Sequence, residues 1–181
     1  MQTIARILME AGTLEPGFHL HIDNPPWMPL DIEDIGVPGP HGLVAISVAH
    51  YGQQNGDPMR DPEMLFEVRR QGNEIELFPY YWRNDYLGIE QYSSYRDDQQ
   101  KLFTLAGLKQ QHEQFARLWD KNLRAQGYYE AFAHRVSTKP LCAAAAGKPV
   151  HTGAGAPGPR RPVQAFTLHN LNRSIPHDDH S

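Results

Sequence analysis

Residues 64–81 constrain the fold most. They hold two strand-like runs joined by Gln71-Gly72-Asn73. Met64, Phe66 and Val68 alternate with Leu65, Glu67 and Arg69, and Ile75 and Leu77 alternate with Glu74 and Glu76. A period of two sends successive side chains to opposite faces of a sheet, and a Gly-Asn joint tolerates the positive φ of a tight turn. The pattern predicts an antiparallel hairpin with one apolar face. Glu67, Arg69, Glu74 and Glu76 are expected on the other, exposed face, with cross-strand pairing.

Around this hairpin the rest of a sheet can be placed. Phe18, Leu20 and Ile22 alternate with His19 and His21. Two histidines at i, i+2 on one strand face can ligate a metal, but a solvated face is the favoured reading. Leu30 and Ile32 alternate with Asp31 and Glu33, whose acids are expected to face solvent. The nearly unbroken apolar run 43–50 reads as a central, covered strand, and His50 continues the parity of Val44, Ile46 and Val48. Residues 86–95 read as a polar edge strand. Tyr80, Tyr81, Trp82, Tyr86, Tyr92 and Tyr95 resemble a base-stacking platform, but with so few basic residues between them they are better read as packing between sheet and helix.

Two helices flank the strands. Ile4, Ile7, Leu8 and Ala11 mark one over 2–14, ended by Gly12 and Pro16. A longer one is expected from an Asp97-Asp98 cap to Arg124, with Leu102, Leu105, Leu108, Phe115, Leu118, Trp119 and Leu123 as its stripe. A last turn or two follows Gly127. The fold class is therefore α+β: an antiparallel meander sheet of five or six strands, with both helices on one face. The domain is expected over 1–136. Residues 137–181, rich in Gly, Ala and Pro without periodicity, are expected to be a disordered tail.

Length and composition bound the class. A chain of 181 residues suits about one domain. One cysteine, Cys142, excludes an intramolecular disulfide framework. No secretory signal or apolar span is evident, so a cytoplasmic setting without membrane association is expected. From Lys139 onward five basic residues meet two acidic ones, which leaves the preceding part at −7 of a total −4. An acidic body disfavours direct nucleic-acid binding by the domain and leaves the basic tail as its only candidate arm.

The densest ionisable stretch is 50–63, which reads as a long, ordered connection. Asn55-Gly56, Asp57-Pro58 and Asp61-Pro62 each supply a corner. Its bland reading is a set of aspartates accepting backbone N–H bonds, with Arg60 bridging them. Its sharp reading takes His50, Asp57, Asp61 and Glu63 as catalytic candidates, with Asp57, Asp61 and Glu63 as ligands for a hard divalent metal. No calcium loop, phosphate loop, nucleophile elbow, dinucleotide fingerprint or zinc spacing supports it. No cofactor is therefore expected outside that metal alternative.

Over roughly residues 28–95 the chain resembles a family of uncharacterised bacterial proteins carried on plasmids and other mobile elements. The resemblance rests on His50-Tyr51, Gln54-Asn55-Gly56-Asp57, Arg60-Asp61-Pro62-Glu63-Met64 and Asn84-Asp85-Tyr86-Leu87-Gly88. It implies a mobile-element accessory role and assigns no catalytic residue. The leading expectation is a non-enzymatic module for a protein or nucleoprotein partner, with Asn55, Arg60, Tyr81, Trp82, Asn84, Asp85 and Tyr86 as binding candidates. The alternatives are a metal-assisted hydrolase or nuclease using 50–63, and a DNA-binding accessory protein with a basic tail.

Overall fold

In the computed structural model the described residues are 1–12 and 14–138, with side chains through Arg135. The expected tail over 137–181 lies almost wholly outside them. The chain runs α1 (Gln2–Ala11), β1 (His19–Ile22), β2 (Leu30–Asp34), β3 (Val44–Gln54), β4 (Asp57–Gln71), β5 (Glu74–Asn84), β6 (Ile89–Tyr92), β7 (Ser94–Arg96), β8 (Leu102–Thr104), α2 (Ala106–Ala125) and α3 (Tyr128–Thr138). Strands β1 to β6 form one antiparallel sheet in sequence order, a meander, and β7 and β8 form a separate hairpin. The α+β class and the six-stranded meander agree with the sequence reading.

The alternating pattern decides which face is covered. Ile22, Leu30, Ile32, Ile46, Val48, Met64, Phe66 and Val68 share one face and form a single core with Ile4, Ile7 and Leu8 of α1. Ala116, Trp119 and Leu123 of α2 and Tyr128 and Phe132 of α3 join the same core, so all three helices pack on that face. Each fully buried aliphatic side chain there stabilises the fold by roughly 1.5–3 kcal/mol. A tertiary bond starts α1. Asp120 of α2 accepts the Thr3 N–H at 2.8 Å, satisfying one of the donors that a helix N-terminus leaves unpaired.

The opposite face carries a smaller cluster of Ala45, Tyr80 and Tyr81, with Ile35 and Leu65 against it. Tyr80 and Tyr81 are neighbours in sequence yet belong to one cluster. Leu65 pairs with Tyr81 and Phe66 with Pro79, so Tyr80 is an extra residue that breaks the alternation.

Three expectations are corrected. Glu67 is not exposed with Arg69 and Glu76. It is buried, while Arg69 and Glu76 form the expected surface pair at 2.5 Å. The long helix starts at Ala106, not at Asp97-Asp98. Asp97 instead accepts the N–H groups of Gln99 and Lys101 and shapes the turn between β7 and β8. Residues 86–95 do not form one strand: a turn after Asn84 precedes β6, and β7 belongs to the second sheet.

Candidate functional site

The stretch 50–63 is mostly strand. β3 runs on to Gln54, β4 begins at Asp57, and Asn55-Gly56 alone makes the turn. Both turn residues have positive φ, 54° and 91°, as a two-residue hairpin turn requires. Pro58 and Pro62 had argued against strand, since proline cannot donate to a ladder. Pro58 sits beside the turn, opposite Gln53. Pro62 sits in a bulge: Ala49 pairs with Glu63 and Tyr51 with Arg60, leaving Asp61 and Pro62 opposite His50. The Asp61–Pro62 bond is cis.

This geometry separates the catalytic candidates. His50 is buried on the helix face, its Nδ1 donating to the Pro29 carbonyl at 2.8 Å. Its ring packs against Trp119 and Tyr128, with centroids 5.5 and 5.4 Å away. Burial lowers its pKa from the ordinary imidazole value. Glu63 lies among the polar residues of the other face, where Oε1 accepts the Ser47 hydroxyl at 2.9 Å and Oε2 sits 2.7 Å from Arg60 Nε. Asp61 accepts from Asn84 Nδ2 at 2.6 Å. Asp57 is exposed beside the hairpin turn. Among the described residues Asp57, Asp61 and Glu63 do not converge as a three-ligand set.

The binding candidates fare differently. The turn after β5 folds back on the projecting hairpin. Arg60 N–H donates to Asp85 Oδ2 at 2.8 Å, and Asp85 N–H donates to the Arg60 carbonyl at 2.9 Å. Arg83 Nε meets Asp85 Oδ1 at 2.5 Å. Burial opposes ionisation of Asp85, but the Arg60 N–H and the Arg83 guanidinium outweigh it and hold the carboxyl below its usual value. Asn84 caps the turn by accepting the Leu87 N–H at 3.0 Å. The Tyr86 hydroxyl lies against Gly52, where any side chain would collide with it. Arg60, Asn84, Asp85 and Tyr86 therefore form one constellation.

Beside it lies a shallow cleft of about 480 Å³ lined by Met59, Arg60, Arg83, Asp85, Ile89 and Glu90, among others. Exposed large apolar side chains adjoin it: Leu87 at 63%, with Tyr86, Ile89 and Tyr92 also exposed. Tyr81 borders the same end, donating to Glu90 at 2.9 Å with its ring 4.6 Å from that of Tyr92. Two candidates lie apart. Trp82 turns to the helix face, 5.7 Å from the Phe115 ring, and Asn55 stands at the hairpin tip.

Leu87 and Ile89, inside the expected 86–95 edge strand, were not among the binding candidates. It also took Asp31 as solvent-facing. Asp31 instead receives both His19 and His21 from the neighbouring strand. The alternation that puts His19 and His21 on one strand face and Asp31 and Glu33 on one face of the next was the available signal; the register pairs residues 19 and 21 with 33 and 31. The bond to Asp31 raises the His21 pKa above its ordinary value.

Comparison with known proteins adds one relationship. The chain matches the domain of unknown function DUF6908 over residues 2–129, which takes in every described strand, α1, α2 and the first residues of α3. It belongs to the DUF6908 family. The match extends beyond the 28–95 resemblance to include α1 and α2, so the family unit is the sheet together with its helical cover. No curated protein and no solved structure matches the chain. Among the described residues no helix is long and apolar enough to cross a membrane.

Proposed function

We propose that this DUF6908 domain is a non-enzymatic binding module that engages a protein or nucleoprotein partner through the β5–β6 end of its sheet. One observation carries the reading: exposed Tyr86, Leu87 and Ile89 adjoin a cleft whose charges are already paired with one another. Clustered exposed apolar side chains with a polar rim are the usual signature of an interaction surface. Pairing Arg60 and Arg83 with Asp85 and Glu63 fixes the shape of that rim before any partner arrives, which lowers the ordering cost of association. β6 is also the terminal strand of the sheet, so a partner segment has an edge to lie along. The motif resemblance implies the setting, an accessory protein of a bacterial mobile element, and the sequence reading adds the cytoplasm as its expected location.

A co-purification from a bacterial host carrying the element tests this. Leu87→Asp with Ile89→Asp is expected to lose a partner that the unaltered chain retains, with unchanged thermal unfolding. Equal recovery by both chains contradicts the proposal, as does cleavage of DNA by the purified chain with Mg²⁺ or Mn²⁺.

A further inference from the structure

At the opposite edge of the sheet, β1 and β2 bring two imidazoles onto one carboxylate. His19 Nε2 lies 2.7 Å and His21 Nδ1 2.8 Å from Asp31 Oδ1, and the three ligand atoms all lie within 4.8 Å of one another. The strands fix this arrangement. His21 is directly opposite Asp31, and His19 is two residues along on the same face. The Gly17 N–H donates to Asp34 at 2.8 Å, Asp34 N–H donates to the Phe18 carbonyl at 3.0 Å, and Arg135 of α3 donates to the His21 carbonyl.

We propose that His19, His21 and Asp31 bind a divalent first-row transition ion, with Zn²⁺ as the reference case. Two imidazole nitrogens and one carboxylate oxygen are a borderline donor set that suits Zn²⁺, Co²⁺ or Fe²⁺ and not the all-oxygen preference of Mg²⁺ or Ca²⁺. Tetrahedral Zn²⁺ at about 2.0–2.1 Å from each ligand needs ligand atoms roughly 3.3 Å apart. The two nitrogen–oxygen spacings reach that with about half an ångström of spreading, and the two nitrogens, within 4.8 Å of each other, are brought to it by rotation of the exposed imidazole rings. The Asp31 side chain is only 13% exposed and forms the floor, with the two rings at the rim. The ion's remaining positions therefore face water.

Two further observations favour a cation here. His21 Nε2, the nitrogen that would not face the ion, lies 3.2 Å from Asp23 Oδ1. A carboxylate on the outer nitrogen is the arrangement that orients metal-bound histidines and raises their basicity. Residues 18–34 also carry Asp23, Asp31, Glu33 and Asp34 and contain no lysine or arginine.

The test is calorimetric titration of the full chain with Zn²⁺, and with Co²⁺ followed by visible absorption. One tight equivalent is expected in the unaltered chain, with the d–d bands of a low-coordinate Co²⁺ site. His19→Ala or Asp31→Asn is expected to abolish that equivalent. Asp23→Asn is expected to weaken it roughly 10- to 100-fold. His177→Ala with His180→Ala controls for ligands elsewhere and is expected to leave it intact. His19 is exposed, so His19→Ala leaves the fold undisturbed and keeps the result readable. An equivalent that survives His19→Ala, or is lost only in the His177/His180 variant, overturns the proposal, and so does the absence of any tight equivalent. Neither result bears on the β5–β6 surface.

Discussion

Glu67 holds His41 by two bonds. Its Oε1 accepts the His41 backbone N–H at 2.6 Å, and its Oε2 lies 2.6 Å from His41 Nδ1. The Leu43 N–H reaches Oε1 at 3.4 Å. A carboxylate only 2% exposed thus gathers donors from the loop between β2 and β3 and pins that loop to the sheet. Gly39 makes room for it, since a methyl group there would run into Glu67 Cγ.

Glu67→Ala removes the buried acceptor and leaves the partly buried His41 and Leu43 N–H groups unmatched. It is expected to destabilise the domain by about 2–3 kcal/mol. Gly39→Ala is expected to destabilise it as well, by displacing the same side chain. Urea unfolding monitored by tryptophan fluorescence checks both. Unchanged midpoints would show that the loop is held by other contacts.

His112 gives the domain a pH dependence. It is 3% exposed, its Nδ1 lies 3.1 Å from Ser93 Oγ, and its Nε2 has no protein hydrogen-bond partner. Burial pushes its pKa down from 6.5 to about 4. The unfolded chain therefore binds a proton that the folded one refuses between those two values. Stability from this group is complete above about 6.5 and is lost as pH falls toward 4, to a limit of about 3 kcal/mol. Buried His50 acts in the same direction. His112→Gln is expected to flatten the stability–pH curve between pH 7 and 4.5, and an unchanged slope would contradict the assignment.

The Asn55-Gly56 turn sets the register of the projecting hairpin. Gly56 has φ 91°, a conformation that strains any residue with a Cβ. Nothing lies within 4 Å of the position a Cβ would take, so Gly56→Ala isolates the backbone effect. It is expected to cost about 1–2 kcal/mol. Amide exchange is expected to quicken at Gln53 and Met59 before it changes in the core, and uniform protection would contradict this.

Strand parity and helix stripes were legible wherever apolar residues recur without interruption, as at 43–50, 64–81 and 2–11. Three kinds of information were not. The hairpin extension was hidden because Pro58 and Pro62 look like strand breakers until the bulge opposite His50 absorbs Pro62. The start of α2 was hidden because Leu102 and Leu105 fit a helical stripe, while Leu102 lies in β8 and Leu105 is the N-cap of α2. The burial of Glu67 was hidden because its partners lie 24 to 26 residues away. Of the site, the motif residues Arg60, Asn84, Asp85 and Tyr86 were found as a group. The apolar surface beside them was not, because exposure of Leu87 and Ile89 depends on a turn that the 86–95 alternation disguised.

Asp85 links the turn to the hairpin through Arg60 and Arg83. Asp85→Ala is expected to destabilise the domain by roughly 1–3 kcal/mol and to loosen the cleft. Partner affinity should fall further than Arg83→Lys alone lowers it, because the Arg60 N–H also loses its acceptor. Paired unfolding and binding measurements separate the two effects. A variant with full stability and full affinity would remove Asp85 from the account.

The central claim is that the turn and edge strand from Tyr86 to Tyr92 form the contact surface. Site-specific photo-crosslinking in the bacterial host tests it most directly, with the reactive group at position 87 and, for comparison, at the similarly exposed Leu118 on α2. A discrete adduct is expected from position 87, suppressed by Ile89→Asp, and none from position 118. Adducts from position 118 alone, or from neither position, would contradict the claim.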